Sequence, residues 1–289
     1  MSADEVNSLK AEVIQLKKEL SEKQTEISRY RSEILKVTQV LDQLMSESQK
    51  DIQLLRQMYQ TLVPTDMPQF PGFEFSKKFV FGSKKGGDYF DIFSQKQKTK
   101  FGILLSSATS YTMSALLLSL RVKHTAFLES DKPMASKDFI QMLSDELKNL
   151  ADAKDQAQIL YAQVDRKTLE MTFCAVGNVL GFYLNANGTL HRLSASAAEG
   201  LGQDFHLDIT ETHLQLEPKG RLVFVTEGLL EVLTQDEIAS IIQKATATHD
   251  VRHELLFAAQ RKSGLETPFR DQTVVVMDVK DNIIKLAKV

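Results

Sequence analysis

The chain has 289 residues, a net charge of -3 and a single cysteine, Cys174. That charge balance argues against a nucleic-acid binder, which shows a basic excess, and the lone cysteine excludes an intramolecular disulfide and a cysteine-cluster metal site. The longest strongly apolar run, around 115–120, falls short of the roughly 20 residues that cross a bilayer, and residues 1–5 lack a signal peptide's basic and apolar regions. A reduced, cytoplasmic protein with no membrane insertion is therefore expected.

Residues 1–62 read as a coiled-coil helix. With Val6 as position a, the a positions are Val6, Val13, Leu20, Ile27, Ile34 and Leu41, and the apolar d positions are Leu9, Leu16, Tyr30, Val37 and Leu44, interrupted only by Lys23. An apolar repeat of 3.5 residues sustained this long favours supercoiling of two helices, because only then does the seam stay buried. Position g holds Glu5, Glu12, Glu19, Glu26 and Glu33, and position e holds Lys10, Lys17, Gln24 and Arg31. A parallel dimer pairs Glu5 with Lys10, Glu12 with Lys17 and Glu26 with Arg31, whereas an antiparallel pair sets glutamate against glutamate. The competing reading is a single long helix folded onto the rest of the chain. After Leu44 the register fails at Ser48 and Asp51 and resumes at Ile52, Leu55, Tyr59 and Leu62, shifted by four. Such a stutter either unwinds a coiled coil locally or marks its end.

Pro64, Pro68, Pro71 and Gly72 then mark a linker over 63–75. From 76 to 289 short apolar runs alternate with helical patterns. Strands are expected at 79–81, 89–93, 101–105, 158–165, 169–176, 180–184, 221–226 and 273–279. Helices are expected at 113–127, at 136–150 with Ser136 as its cap, at 235–245 and at 250–262. This order indicates an α+β layered domain. His249 and His253, four apart on one of these helices, have spacing suited to Zn²⁺ but no third ligand nearby, and a solvated helix face is the simpler reading. Cys174 reads as a small core residue, Lys84 and Lys85 as a solvated loop or a contact for a phosphoprotein, and Leu116–Leu120 with Val122 as core.

Six ordered segments carry a family resemblance: TLVPTDMPQFPGFE from Thr61, GGDYFD from Gly86, AVGN from Ala175, GLG from Gly200, TEGLLE from Thr226 and RDQTVVV from Arg270. Their order and spacing resemble the bacterial metal-dependent serine phosphatases, PP2C-like, of the SpoIIE/RsbU type. The resemblance implies an αββα β-sandwich flanked by helices. It also implies catalysis by two Mn²⁺ or Mg²⁺ ions held on carboxylates, whose bridging water attacks phosphoserine.

The matched positions depart from that family's pattern. Asp88 and Asp91 are present, and Asp88 matches the acid of the first motif. Ser106 falls where the metal-bridging aspartate belongs, Glu227 replaces an aspartate, and Arg270 falls on the closing ligand position. Asp271 reaches that position only if the strand slips by one residue, which reverses its facing. A guanidinium near a dication is repulsive by several kcal/mol even at an effective dielectric of about 20. No metal site, catalytic residue or cofactor is therefore expected, the positions being vestigial, with Arg270 paired to Asp88 or Glu227. The reading is a catalytically inactive, dimeric regulatory or scaffolding module, and by family resemblance its partner is an anti-sigma-factor antagonist or another phosphoprotein. The alternative is an active serine/threonine phosphatase with an altered Mn²⁺ or Mg²⁺ site built on Asp88, Glu227 and Asp271. A purely structural rod-and-head protein is the third reading.

Overall fold

The computed structural model describes residues 3–62, 68–83, 86–95, 99–109, 122, 134–148, 156–197, 199–202 and 209–281. The chain divides into two compact units, Met1–Arg56 and Gln57–Val289.

Helix α1, Ala3–Leu62, is a single helix that runs through the stutter without a break. It stops two residues before Pro64, where the approaching ring disfavours helical geometry. Val13, Leu16, Leu20, Ile27, Tyr30, Ile34, Val37, Leu41 and Leu44 are all exposed on this single chain. The side chains of Val6 and Leu9 lie outside the described residues. Lys23, the polar interruption of the seam, pairs with Glu26 at 2.9 Å, and Tyr30 donates a hydrogen bond to the same glutamate.

Among the described residues the second unit is a sandwich of two five-stranded antiparallel sheets. One has the order β1–β10–β9–β6–β7, formed by Phe73–Val80, Gln272–Val279, Arg221–Val225, Leu180–Leu184 and Leu190–Leu193. The other has the order β2–β3–β4–β5–β8, formed by Tyr89–Ser94, Lys100–Ala108, Ala157–Asp165, Glu170–Val176 and Thr212–Gln215. Helix α2, Ser136–Leu147, covers the second sheet. The short α3, Glu227–Leu230, with α4, Gln235–Lys244, and α5, Thr248–Ser263, covers the first.

Period-two facing explains why three apolar layers form. On β3, Phe101, Ile103 and Leu105 point between the sheets, where they meet Phe224, Val275 and Met277. Leu104 and Ala108 point outward to Phe139, Ile140 and Leu143 of α2. On β10, Val274 and Val276 face Ile238, Val251 and Leu255 of the other helical layer. Strands buried on both faces read as continuous apolar runs, and VVV at 274–276 is one.

Several elements differ from the sequence reading. β1 starts at Phe73, inside the stretch assigned to the linker, because Phe73 and Phe75 pack on Phe101. β7 and β8 are too short and too polar to show a strand pattern. Ser136 does not cap α2: Ala135 holds the cap position, and the Ser136 hydroxyl is turned to Thr172 on β5. The expected helix at 113–127 lies outside the described residues apart from Val122, which is buried. Lys84 and Lys85 lie outside them too.

Candidate functional site

Five of the six motifs, scattered through the sequence, converge on one end of the sandwich; the first ends at Phe73 and Glu74, whose partners Val279 and Asp278 lie at the other end of β10. Tyr89 of β2 pairs with Ser106 of β3, so Asp88, one residue earlier, sits opposite Ser107. Asp88 is buried, and all its acceptors are engaged. Its Oδ1 accepts from Ser107 Oγ at 2.6 Å, and its Oδ2 accepts from Thr226 Oγ1 at 2.5 Å and from Thr273 Oγ1 at 2.8 Å. Burial first, and then the negative charge of Asp271, push the Asp88 carboxyl up to about 7, against the pull of the three hydroxyl donors.

Asp271 is turned into the Gly-Gly turn. Its Oδ1 accepts from the Gly82 amide at 2.7 Å, and its Oδ2 accepts from the amides of Gly87 at 2.9 Å and Asp88 at 3.4 Å. Gly86 is required here: a Cβ on it would stand 2.8 Å from Asp271 Oδ2. Asp271 thus anchors the turn, and both its oxygens are occupied by backbone donors.

Arg270 reaches the other acid of the cleft. Its Nη1 donates to Glu227 Oε2, and its Nε lies 3.1 Å from Glu231 Oε1. Glu227 also accepts from Gln158 Nε2 at 2.9 Å and from Asn178 Nδ2 at 3.4 Å. Of the two partners open to Arg270 in the sequence reading, the structure selects Glu227. A cavity of about 600 Å³ opens beside this pair, lined among others by Gln158, Asn178, Arg192 and Glu227. The Gly200-Leu-Gly turn is stapled to the start of β4 by reciprocal Ala157 and Leu201 backbone bonds of 2.7 Å each. Asp91 stays local, accepting from the Tyr89 hydroxyl at 2.9 Å and the Ile92 amide at 2.8 Å.

The serine next to Asp88 is Ser107, not Ser106. Strand alternation turns Ser106 to the opposite face, although both serines are buried. Sequence reasoning also missed Thr226, Thr273, Gln158, Asn178 and Glu231. Thr226 and Thr273 sit inside quoted motifs, so a search for hydroxyls as well as acids would have found them. Gln158 carried no signal, because its place beside Glu227 depends on how the two sheets pack: β4 lies in one, and Glu227 follows β9 of the other.

This donor set does not suit a pair of divalent cations. Such ions need hard oxygen ligands with free lone pairs and negative charge. Here the Asp88 and Asp271 oxygens are taken by hydroxyl and amide donors, and a guanidinium lies on Glu227. Among the described residues no group of three or more His, Cys, Asp or Glu stands close enough to hold a metal ion. His249 and His253 are exposed on α5, and His249 pairs with Asp250. Cys174 is buried, and burial pushes its thiol up to about 12, which makes it unreactive.

The family profile of Stage II sporulation protein E (SpoIIE) matches residues 103–280, more than half of the chain. The chain belongs to the SpoIIE family. It is 22% identical over 200 residues to phosphoserine phosphatase RsbU of Bacillus subtilis (strain 168), a match that covers 68% of this chain and 58% of that relative. Among solved structures, RsbX in complex with magnesium superposes with a TM-score of 0.62 at 14% identity, covering 74% of this chain and 99% of that one. The serine/threonine phosphatase of S. agalactiae gives 0.60 at 15% identity, with 72% and 100% covered. These structures establish a PP2C-like fold, as the motif order implied. Among the described residues no helix is long and apolar enough to cross a membrane.

Proposed function

We propose that this SpoIIE-family chain is a catalytically inactive phosphatase-like module, cytoplasmic, dimeric through a parallel coiled coil, and regulatory or scaffolding in role. The observation that carries this reading is the Arg270–Glu227 pair in the cleft where a relative would gather anionic oxygen around dications. A guanidinium there opposes each dication by several kcal/mol at an effective dielectric of about 20. The saturated carboxylates of Asp88 and Asp271 add to the same effect, since coordination would first require breaking their bonds to Ser107, Thr226, Thr273 and the Gly-Gly turn. Dimerisation is supported by the exposed apolar seam of α1, which a single chain leaves in water. The resemblance to RsbU points to a phosphoprotein of the anti-sigma-factor-antagonist kind as partner, bound without being hydrolysed.

The decisive experiment incubates the full-length protein with a phosphoserine peptide, or with an aryl phosphate, in millimolar Mn²⁺ or Mg²⁺. Turnover at the buffer rate is expected. Metal-dependent turnover that disappears in Asp88→Asn would overturn inactivity and establish the altered-site phosphatase built on Asp88, Glu227 and Asp271.

A further inference from the structure

A second concave surface lies between β1 and α5 and shares no lining residue with the cleft beside Glu227. It is a groove of about 620 Å³. Helix α5 already satisfies the core through Val251, Leu255 and Ala259, spaced four apart and fully buried. Phe257 falls on a different face, is 50% exposed, and has the His253 ring stacked on it at 6.0 Å and 11°. Leu265, after the helix, is 49% exposed at the same groove. This apolar surface is left over after the core is complete, and exposed apolar patches rimmed by polar groups mark interaction sites.

The rim is cationic. Lys78 of β1 and Arg252 and His253 of α5 line it, and none is paired with a carboxylate among the described residues. Glu266 is the one acid in the described lining. A chain with a net charge of -3 thus presents a locally positive, apolar-floored groove. The charge pattern selects among occupants. A second copy docked groove to groove by a two-fold axis would set Lys78 and Arg252 against their own equivalents, a repulsive arrangement. A strongly basic or neutral partner would leave the cations uncompensated.

We propose that the β1–α5 groove is a docking site for an acidic amphipathic peptide segment of a partner protein. Its apolar side chains seat against Phe257 and Leu265, and its carboxylates meet Lys78, Arg252 and His253. The cations steer and orient the segment, and the apolar contact supplies most of the affinity. This inference stands apart from the question of catalysis, because no residue of the groove belongs to the Asp88 cluster.

The test pans a phage-displayed library of random short peptides on the full-length protein and counter-selects on Lys78→Glu/His253→Glu. Both substituted positions are exposed, so circular dichroism of this variant should match that of the parent. Peptides combining Asp or Glu with Leu, Ile or Phe should be enriched on the parent alone. Synthetic copies, titrated by fluorescence anisotropy, should bind at least about tenfold more weakly to the double variant. They should lose a comparable factor with Phe257→Ala, and they should weaken with added salt. Enrichment of basic or uncharged peptides, no difference between parent and variant, or binding of phosphatidylserine vesicles in place of peptides would overturn the proposal.

Discussion

Arg270 and Glu227 form an ion pair in the cleft. The side chain of Arg270 is 6% exposed and that of Glu227 16%, so the pair is largely desolvated, while Glu231 at 41% contributes little. Removing the guanidinium leaves the partly buried Glu227 without its counter-charge. Arg270→Ala should therefore lower the stability of the domain by about 2–4 kcal/mol, measured by urea unfolding. Asp88 sets a different, pH-dependent cost. Its carboxyl is raised from 3.8 to about 7 in the folded chain, so between those values the native state holds a proton that the unfolded chain has released. Its contribution to stability is present below about pH 4 and is lost as pH rises to about 7, a change of a few kcal/mol. Asp88→Asn removes the titration while keeping the shape. The difference in unfolding free energy between parent and variant should shift steadily in the variant's favour from pH 4 to 7. A difference that does not change with pH would contradict the raised carboxyl.

At the scale of elements, the cleft depends on how closely α3 approaches β10. A Cβ at Gly228 would lie 2.0 Å from the Asp271 carbonyl oxygen, a contact that nothing but glycine permits. Gly228→Ala should cost about 2–3 kcal/mol in a thermal melt, by pushing α3 off the strand that carries Arg270 and Asp271. The requirement was visible only as the glycine of TEGLLE. Much else at this scale was legible. β6, α4 and β10 fall within a residue of their expected bounds, because each couples a clear apolar period to a turn or cap; Thr234, for instance, forms a capping box with Glu237. The polar strands β7 and β8 were not legible, nor was the inward facing of Ser107, because facing depends on a register set by the partner strand. The acids and the arginine of the site were named from motifs. Their partners were not, since Thr226, Thr273 and Gln158 join the site through strands far apart in sequence.

For the whole molecule, oligomeric state is the property most directly open to test. The α1 seam should hold two chains in parallel, so the full-length protein should sediment at twice 32.5 kDa. Ile27→Lys with Ile34→Lys should return it to the monomer mass, because two charges on a positions cannot be buried. Val13→Cys adds orientation: a parallel pair brings the two a-position thiols together, and mild oxidation should crosslink them across the dimer. An antiparallel pair would place them at opposite ends of the rod and give no crosslink. Cys174, buried in the domain, does not compete.

The sequence by itself determined the helical rod, the layered domain and which acids, hydroxyls and arginine occupy the motif positions, because each rests on local periodicity or on the identity of single residues. Tertiary structure alone decided that Arg270 engages Glu227 rather than Asp88, that three hydroxyls and an amide-bound Asp271 close off the acids, and that a cationic groove forms beside α5. Those outcomes depend on distances between strands and helices remote in the chain. Such distances are set by sheet register and layer packing, which no local pattern encodes.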